Sequence, residues 1–212
     1  MSQGFYLPAG NEDANLRFGD VLHGLVQCTP SIDNPKPDGN VEFKINVSTS
    51  NYFAVISPCC SIGPSIILLA PLLQLTSKFF NNPHFVKDFT KINSLIPVEE
   101  SIAPDKWINL PTEEKTEKLQ QREVFVHVEY FIYDDHPLLP KYKLTVRKEE
   151  KVLGTYVIDF RHTFQLHCEQ IQPSKHSPLD FKILQLSIDT RQTLRDKITK
   201  FYSRVPKEDI IA

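Results

Sequence analysis

At 212 residues, with 41% hydrophobic and 24% charged side chains, the chain has the composition of a folded protein with a sizeable core, which excludes wholesale disorder. A formal net charge of −2 excludes a surface that is basic all round, while leaving room for a local basic face. Cys28, Cys59, Cys60 and Cys168 are irregularly spaced and two are adjacent, which is not a secreted disulfide framework.

The first twenty residues carry no basic region followed by an apolar run, so no secretory leader is expected. The longest apolar stretch, 66–73, is too short to span a bilayer. The expected setting is therefore the cytoplasm, without membrane contact.

Residues 1–16 are polar with Pro and Gly and read as a loose arm. Val21 to Cys28 is apolar with an internal Gly24, the pattern of a strand with a bulge or bend. Pro30, Pro35, Pro37 and Gly39 predict a loop over 29–40. Val41, Phe43, Ile45 and Val47 then alternate with polar residues, predicting a half-exposed antiparallel strand. The centre of the chain is 51–75, where two short apolar runs flank Ser57-Pro58-Cys59-Cys60-Ser61. Such runs read as strands buried on both faces, with the elbow between them at the edge of a core.

Beyond Leu75 the character changes. Phe79, Phe80, Phe85, Phe89 and Ile92 fall among polar residues, Trp107 lies in a Pro-bounded segment, and 110–122 runs from acidic to basic as a helix dipole favours. This predicts a mostly helical insertion over 77–122 within a single domain of 1–212. Val124 to Tyr133 alternates as a strand, while Tyr142–Lys148 and Val152–Arg161 read as a hairpin turning at 148–151. Residues 165–170 extend the sheet, 171–179 form a loop, and 181–186 a short apolar segment. A final helix over 189–205, capped by Asp189 or Thr190, carries Leu194, Ile198, Phe201 and Val205 on one face. Its other face carries Arg191, Arg195, Lys197, Lys200 and Arg204. The chain is thus expected to be α+β and mainly β.

Several side chains could carry chemistry. Cys60 at an exposed elbow could act as a nucleophile if His23, His162 or His167 lowered its pKa, with Asp20 as an acid/base partner. The alternative is a buried thiol acting as a small hydrophobe and an Asp20 that orders a turn. Ser57 and Cys59 share the same elbow. Adjacent cysteines have poor chelating geometry, so no metal and no cofactor is expected. Asp159 and Arg161 fall on one strand face next to His162, opposite Tyr156, Ile158 and Phe160; such a pair binds an anion or closes a salt bridge. The cations of the last helix could lie on phosphates or form a solvated face.

Gly19-Asp20-Val21-Leu22, Phe53-Ala54-Val55-Ile56-Ser57-Pro58 and Ile67-Leu68-Leu69-Ala70-Pro71 together resemble the opening of the PemK/MazF toxins. The likeness covers 17–72 and implies an SH3-like β-barrel, often dimeric, whose active members cleave RNA. Asn51 and Tyr52 stand where that family has its arginine and proline, and Leu72 and Leu73 where it has Thr or Ser. Without the cation that would stabilise phosphorane charge, the resemblance implies the barrel and not the nuclease. The chain is also similar to bacterial proteins without assigned activity that pair an N-terminal Gly-Asp with a Ser-x-x-Cys elbow, an Ala-Pro strand and a basic C-terminal helix. Gly19, Asp20, Ser57, Cys60, Ala70, Pro71 and Arg204 occupy those places, with Ser61 where an acid is usual.

The expected function is a non-catalytic module of the bacterial toxin-antitoxin or phage-defence type that binds RNA, DNA or a protein partner, including a second copy of itself. A thiol- or metal-dependent hydrolase using Cys60, ribonuclease-like or otherwise, and a structural partner-binding subunit are the alternatives.

Overall fold

The structure is a computed structural model that describes residues 4–25, 28–33, 42–47, 52–57, 66–97, 100–121, 124–167 and 178–203. It is a mixed α+β protein, mainly strands, ending in a helix. Its centre is a five-stranded antiparallel sheet ordered β13-β5-β4-β1-β14, with β1 at Val21–His23, β4 at Tyr52–Val55, β5 at Ile66–Pro71, β13 at Phe164–His167 and β14 at Lys182–Leu184. The pairing of β1 with β14 joins the two ends of the chain. The apolar runs of 51–75 are strands as expected: Ala54 faces Ala70 and Val55 faces Leu69, all fully buried. Phe53 and Val55 point into one apolar cluster with Leu22 and Ile67, while Ala54 and Ile56 point into the main core. Burial on both faces is why these runs show no polar alternation.

After Leu72 the chain leaves this sheet and enters a second one, β6-β12-β9, formed by Leu73–Gln74, Tyr156–Asp159 and Tyr130–Tyr133. No ladder among the described residues closes the two sheets into a barrel. β12 is buried at every position, yet Asp159 lies opposite Tyr156, Ile158 and Phe160 as expected, because both faces of this strand are covered. Tyr156, Ile158 and Phe160 fill the main core on one side, and Val157 fills a second cluster on the other. That second cluster takes Phe79, Phe80, Phe85, Phe89 and Ile92 from the insertion.

The insertion is mostly helical as expected. It comprises 3-10 turns at Ser77–Asn81 and Phe89–Asn93, α1 at Pro83–Val86, α2 at Pro104–Asn109 and α3 at Thr112–Gln120. Buried Asn93 accepts from Ile132 N at 2.7 Å and donates to Ile132 O at 2.8 Å, so a side-chain amide completes the edge of β9 where a further strand would otherwise be needed.

Other boundaries differ from the sequence reading. Val124 to Tyr133 is not one strand: β8 at Val124–Phe125 pairs in parallel with β7 at Ser101–Ile102, and a turn separates it from β9. The hairpin is present as β10 (Tyr142–Val146) and β11 (Glu149–Leu153), but it turns at Arg147 and Lys148, both with positive φ, as a two-residue primed turn requires. The predicted loop 29–40 contains β2 at Cys28–Asp33, paired with β3 at Glu42–Val47 in a separate ribbon. On β3, Ile45 and Val47 are exposed, so the alternating pattern does not mark a buried face there. The last helix, α4, runs Ile188–Tyr202 and is capped by Ser187, whose Oγ accepts from Thr190 N, rather than by Asp189 or Thr190. No helix among the described residues is long and apolar enough to cross a membrane.

The largest departure is at the N-terminus. The described part of the expected loose arm, residues 4–16, is not loose but stapled to β14 and to the core. Tyr6 bridges Leu186 and donates to Asp134 O at 2.7 Å, while Leu7 N donates to Gln185 O at 2.9 Å. The Lys182 ammonium lies 2.7–3.0 Å from Asp13 O, Asn15 O, Gln185 Oε1 and Asp20 Oδ2. Gly19 has φ +85, and a Cβ there would lie 2.5 Å from Leu186 Cδ1, so glycine is required on both counts. Composition identified a polar segment; the hydrogen-bond partners that staple it stand at least 128 residues away.

Because Asp20 is fully buried, deleting its cation leaves an uncompensated carboxylate. Lys182→Met is expected to destabilise the fold by about 3–5 kcal/mol. Asp20→Asn leaves Lys182 with its other oxygen partners and is expected to cost clearly less. Urea unfolding of both variants checks this order, and equal losses would contradict it.

Candidate functional site

Between the insertion and the second sheet lies a cleft of about 580 Å³. One wall is built by the insertion: Lys78 and Asn81 from the first 3-10 turn, Trp107 and Ile108 from α2, and Lys115 and Leu119 from α3. The other is built by His127, Glu129, Tyr130 and Arg161, from the turn into β9 and the turn after β12. Phe160 N donates to Glu129 O at 2.9 Å, which binds these two turns together.

The sheet wall is pre-organised around Asp159 and Tyr130. Asp159 Oδ1 accepts from Arg161 N at 3.0 Å and from Arg161 Nε at 2.8 Å, while Oδ2 accepts from Arg161 Nη2 at 2.6 Å and lies 3.2 Å from His162 Nδ1. Burial alone would raise the Asp159 carboxyl; the side-chain and backbone hydrogen bonds of Arg161 outweigh it and hold the carboxyl below its ordinary value. The salt-bridge reading of Asp159 and Arg161 therefore holds. The bridge does not exhaust Arg161: Nη2 also donates to Tyr130 Oη at 2.8 Å, and about half of the side chain remains exposed. Lys78 Nζ donates to the same phenol oxygen and stands 4.4 Å from the Tyr130 ring centroid.

His127 contributes no charge. Burial first, then Lys197 and Lys78, lower its pKa to about 3, so the imidazole is neutral at physiological pH. The fixed charges on the cleft are thus Lys78, Lys115 and Arg161 against Glu129. Such a wall can hold an anion, and its aromatic and aliphatic side chains can hold an apolar ring.

The residues singled out from the sequence are distributed differently. Asp20 is buried, its Oδ2 accepting from Arg17 N at 2.8 Å and pairing with Lys182 at 2.9 Å, which is a structural role. Burial raises its pKa, with Lys182 opposing. His23 is exposed at the end of β1 and stacks on Tyr52 with ring centroids 4.6 Å apart. Ser57 is buried and its Oγ accepts from Leu68 N at 2.7 Å, which makes it part of the β4-β5 corner. Cys59, Cys60 and Arg204 lie outside the described residues. Among the described residues, no three His, Cys, Asp or Glu side chains gather closely enough to hold a metal ion.

The expected basic face of the last helix is not a face. Lys197 is buried and donates to Ile92 O; Lys200 donates to Ile96 O at 3.3 Å and Arg191 to Leu186 O at 3.3 Å. These cations cap carbonyls of the protein itself, leaving Arg195 as the exposed one among the described four. The cleft was missed because its cations come from three segments that are far apart in sequence. Trp107 between prolines and the Asp159-Arg161 pair were its only local signals. Compared with protein-family models, curated proteins and solved structures, the chain matches none.

Burial pulls the Lys197 amine down to about 7 from its ordinary 10.5, with Glu129 opposing and Lys200 adding to the shift. Between those two values the unfolded chain holds a proton that the folded chain does not, so this residue makes stability rise with pH from about 7 to 10.5. In Lys197→Met that component is absent, and the rise of the urea midpoint across the window is expected to be shallower than in the parent. Parallel profiles would contradict it.

Proposed function

We propose that this protein is a non-catalytic nucleic-acid-binding module that takes single-stranded RNA or DNA at the cleft between insertion and sheet. The observation that carries the reading is the meeting of Lys78, Lys115 and Arg161 with Trp107 and Tyr130 around one cavity of about 580 Å³. Cations that follow a phosphate backbone, interleaved with aromatic side chains, are what single-strand recognition uses. The place differs from the one composition suggests: Arg191, Lys197 and Lys200 of the last helix are held by backbone carbonyls, whereas in the cleft Lys78 is exposed, about half of Arg161 is exposed, and Lys115, which donates to Ile108 O at 3.1 Å, keeps further N–H donors.

The wider assignment, to a toxin-antitoxin or phage-defence protein on an open SH3-like sheet, belongs to the same proposal. It is supported by the adjacency of β1, β4 and β5, which carry the Gly-Asp and Ala-Pro segments, and by the passage of the chain from one sheet to the other at Leu72. One observation favours a partner-binding reading instead. Ile45 and Val47 are 71% and 60% exposed on a two-stranded ribbon, a surface that a protein partner or a second copy could cover.

Trp107 is the single tryptophan of the chain and lines the cleft, so its fluorescence reports occupancy directly. Titration with single-stranded oligoribonucleotide is expected to change that signal. Affinity should fall with salt at a log-log slope of about −0.7 per phosphate held. Lys78→Ala and Lys115→Ala should each weaken binding roughly tenfold, whereas Arg195→Ala should leave it unchanged. An unchanged signal, or binding indifferent to salt, would remove the reading.

A further inference from the structure

The cleft contains a carboxylate that a simple phosphate site has no use for. Glu129 lines the same cavity as Lys78, Lys115 and Arg161, and is within electrostatic reach of Arg161 and Lys197. Yet among the described residues its side chain makes no hydrogen bond and no ion pair, although its backbone is held at 2.9 Å by Phe160 N. An ionised carboxylate only accepts hydrogen bonds, and it repels an anion placed against it. A ligand that satisfies the whole cleft must therefore carry an anion for the cations and, on another part of the same molecule, N–H donors for Glu129.

The remaining wall narrows the choice. Trp107, Ile108 and Leu119 face the cavity from α2 and α3, and Ile108 is 71% exposed there, leaving apolar surface for a flat ring to cover. A cavity of about 580 Å³ lies within the range of small-ligand sites and admits one nucleotide, not a base-paired duplex. Among the bases, guanine presents two neighbouring donors, its ring N1–H and its exocyclic amine, which match the two oxygens of a carboxylate. Adenine and cytosine each set one amine beside an acceptor nitrogen, and uracil sets one N–H between two carbonyls, so each brings an acceptor against Glu129.

We propose that the cleft binds a single guanine nucleotide, free or unstacked from a single strand, with the phosphate on Lys78, Lys115 and Arg161 and the base edge on Glu129. This rests on the nucleic-acid reading above and adds base selection to it. Glu129 is the specificity-determining residue, and Asp159 positions Arg161 for the phosphate.

The test is Trp107 fluorescence of the full chain titrated with GMP, AMP, CMP, UMP and inorganic phosphate, and repeated on Glu129→Gln. GMP is expected to bind at least about tenfold tighter than the other nucleotides, the scale of hydrogen bonds to a charged acceptor. In Glu129→Gln that preference should shrink to about twofold or less while the weak affinity for UMP is kept. Equal affinity for all four nucleotides, binding of inorganic phosphate as tight as that of GMP, or a preference that survives in Glu129→Gln would overturn the inference. If single-stranded RNA still changes the signal in such a case, the binding module stands without base selection. Silence toward RNA and nucleotides alike removes both.

Discussion

The structure depends on a buried charge pair at its seam. Asp20, fully buried, is compensated by Lys182 at 2.9 Å, and the two belong to the strands that join the chain's ends, Asp20 immediately before β1 and Lys182 at the start of β14. Taking a carboxylate out of water is costly unless a cation and hydrogen bonds replace the solvent. Lys182 also gathers Asp13 O, Asn15 O and Gln185 Oε1, so the same ammonium that neutralises Asp20 ties down the N-terminal arm. Backbone bonds carry the constraint onward: Gly19 N donates to Val55 O and Val55 N to Asp20 O, locking the seam to β4. Tyr133 of the second sheet donates to Gly19 O at 3.0 Å, so both sheets are referenced to one point.

From that seam the cleft is positioned at two removes. The second sheet supplies Glu129, Tyr130 and Arg161, and the insertion packs its phenylalanines against that sheet. α4 then holds the insertion from the other side, through Lys197 on Ile92 O and Lys200 on Ile96 O. The cations of α4 thus act on the cleft by fixing the body whose helices form one of its walls.

Within the cleft, charge is arranged rather than accumulated. Asp159 neutralises part of Arg161 and fixes its plane, Tyr130 receives Lys78 and Arg161 on one oxygen, and His127 is kept neutral by burial. Glu129 is left facing the cavity beside them. Pre-organising the donors in this way lowers the ordering that a ligand must impose on binding. It also separates the two acids: Asp159 is spent on Arg161, and Glu129 lines the cavity.

Local pattern was enough to identify the buried pair β4 and β5, the helical insertion, the β10-β11 hairpin and the final helix, because each is written in the period or polarity of contiguous residues. It was also enough to single out Asp159 with Arg161 as a pair, since they are two residues apart. Three-dimensional packing alone decided that residues 4–16 are ordered, that Lys197 is interior and that Lys78, Lys115 and Arg161 surround one cavity. Those outcomes depend on partners up to more than a hundred residues distant, and a lysine has the same composition and helical phase whether its ammonium meets a buried carbonyl or open solvent. Periodicity reports which side of an element is apolar; it carries no record of what the opposite side will meet once the chain has closed on itself.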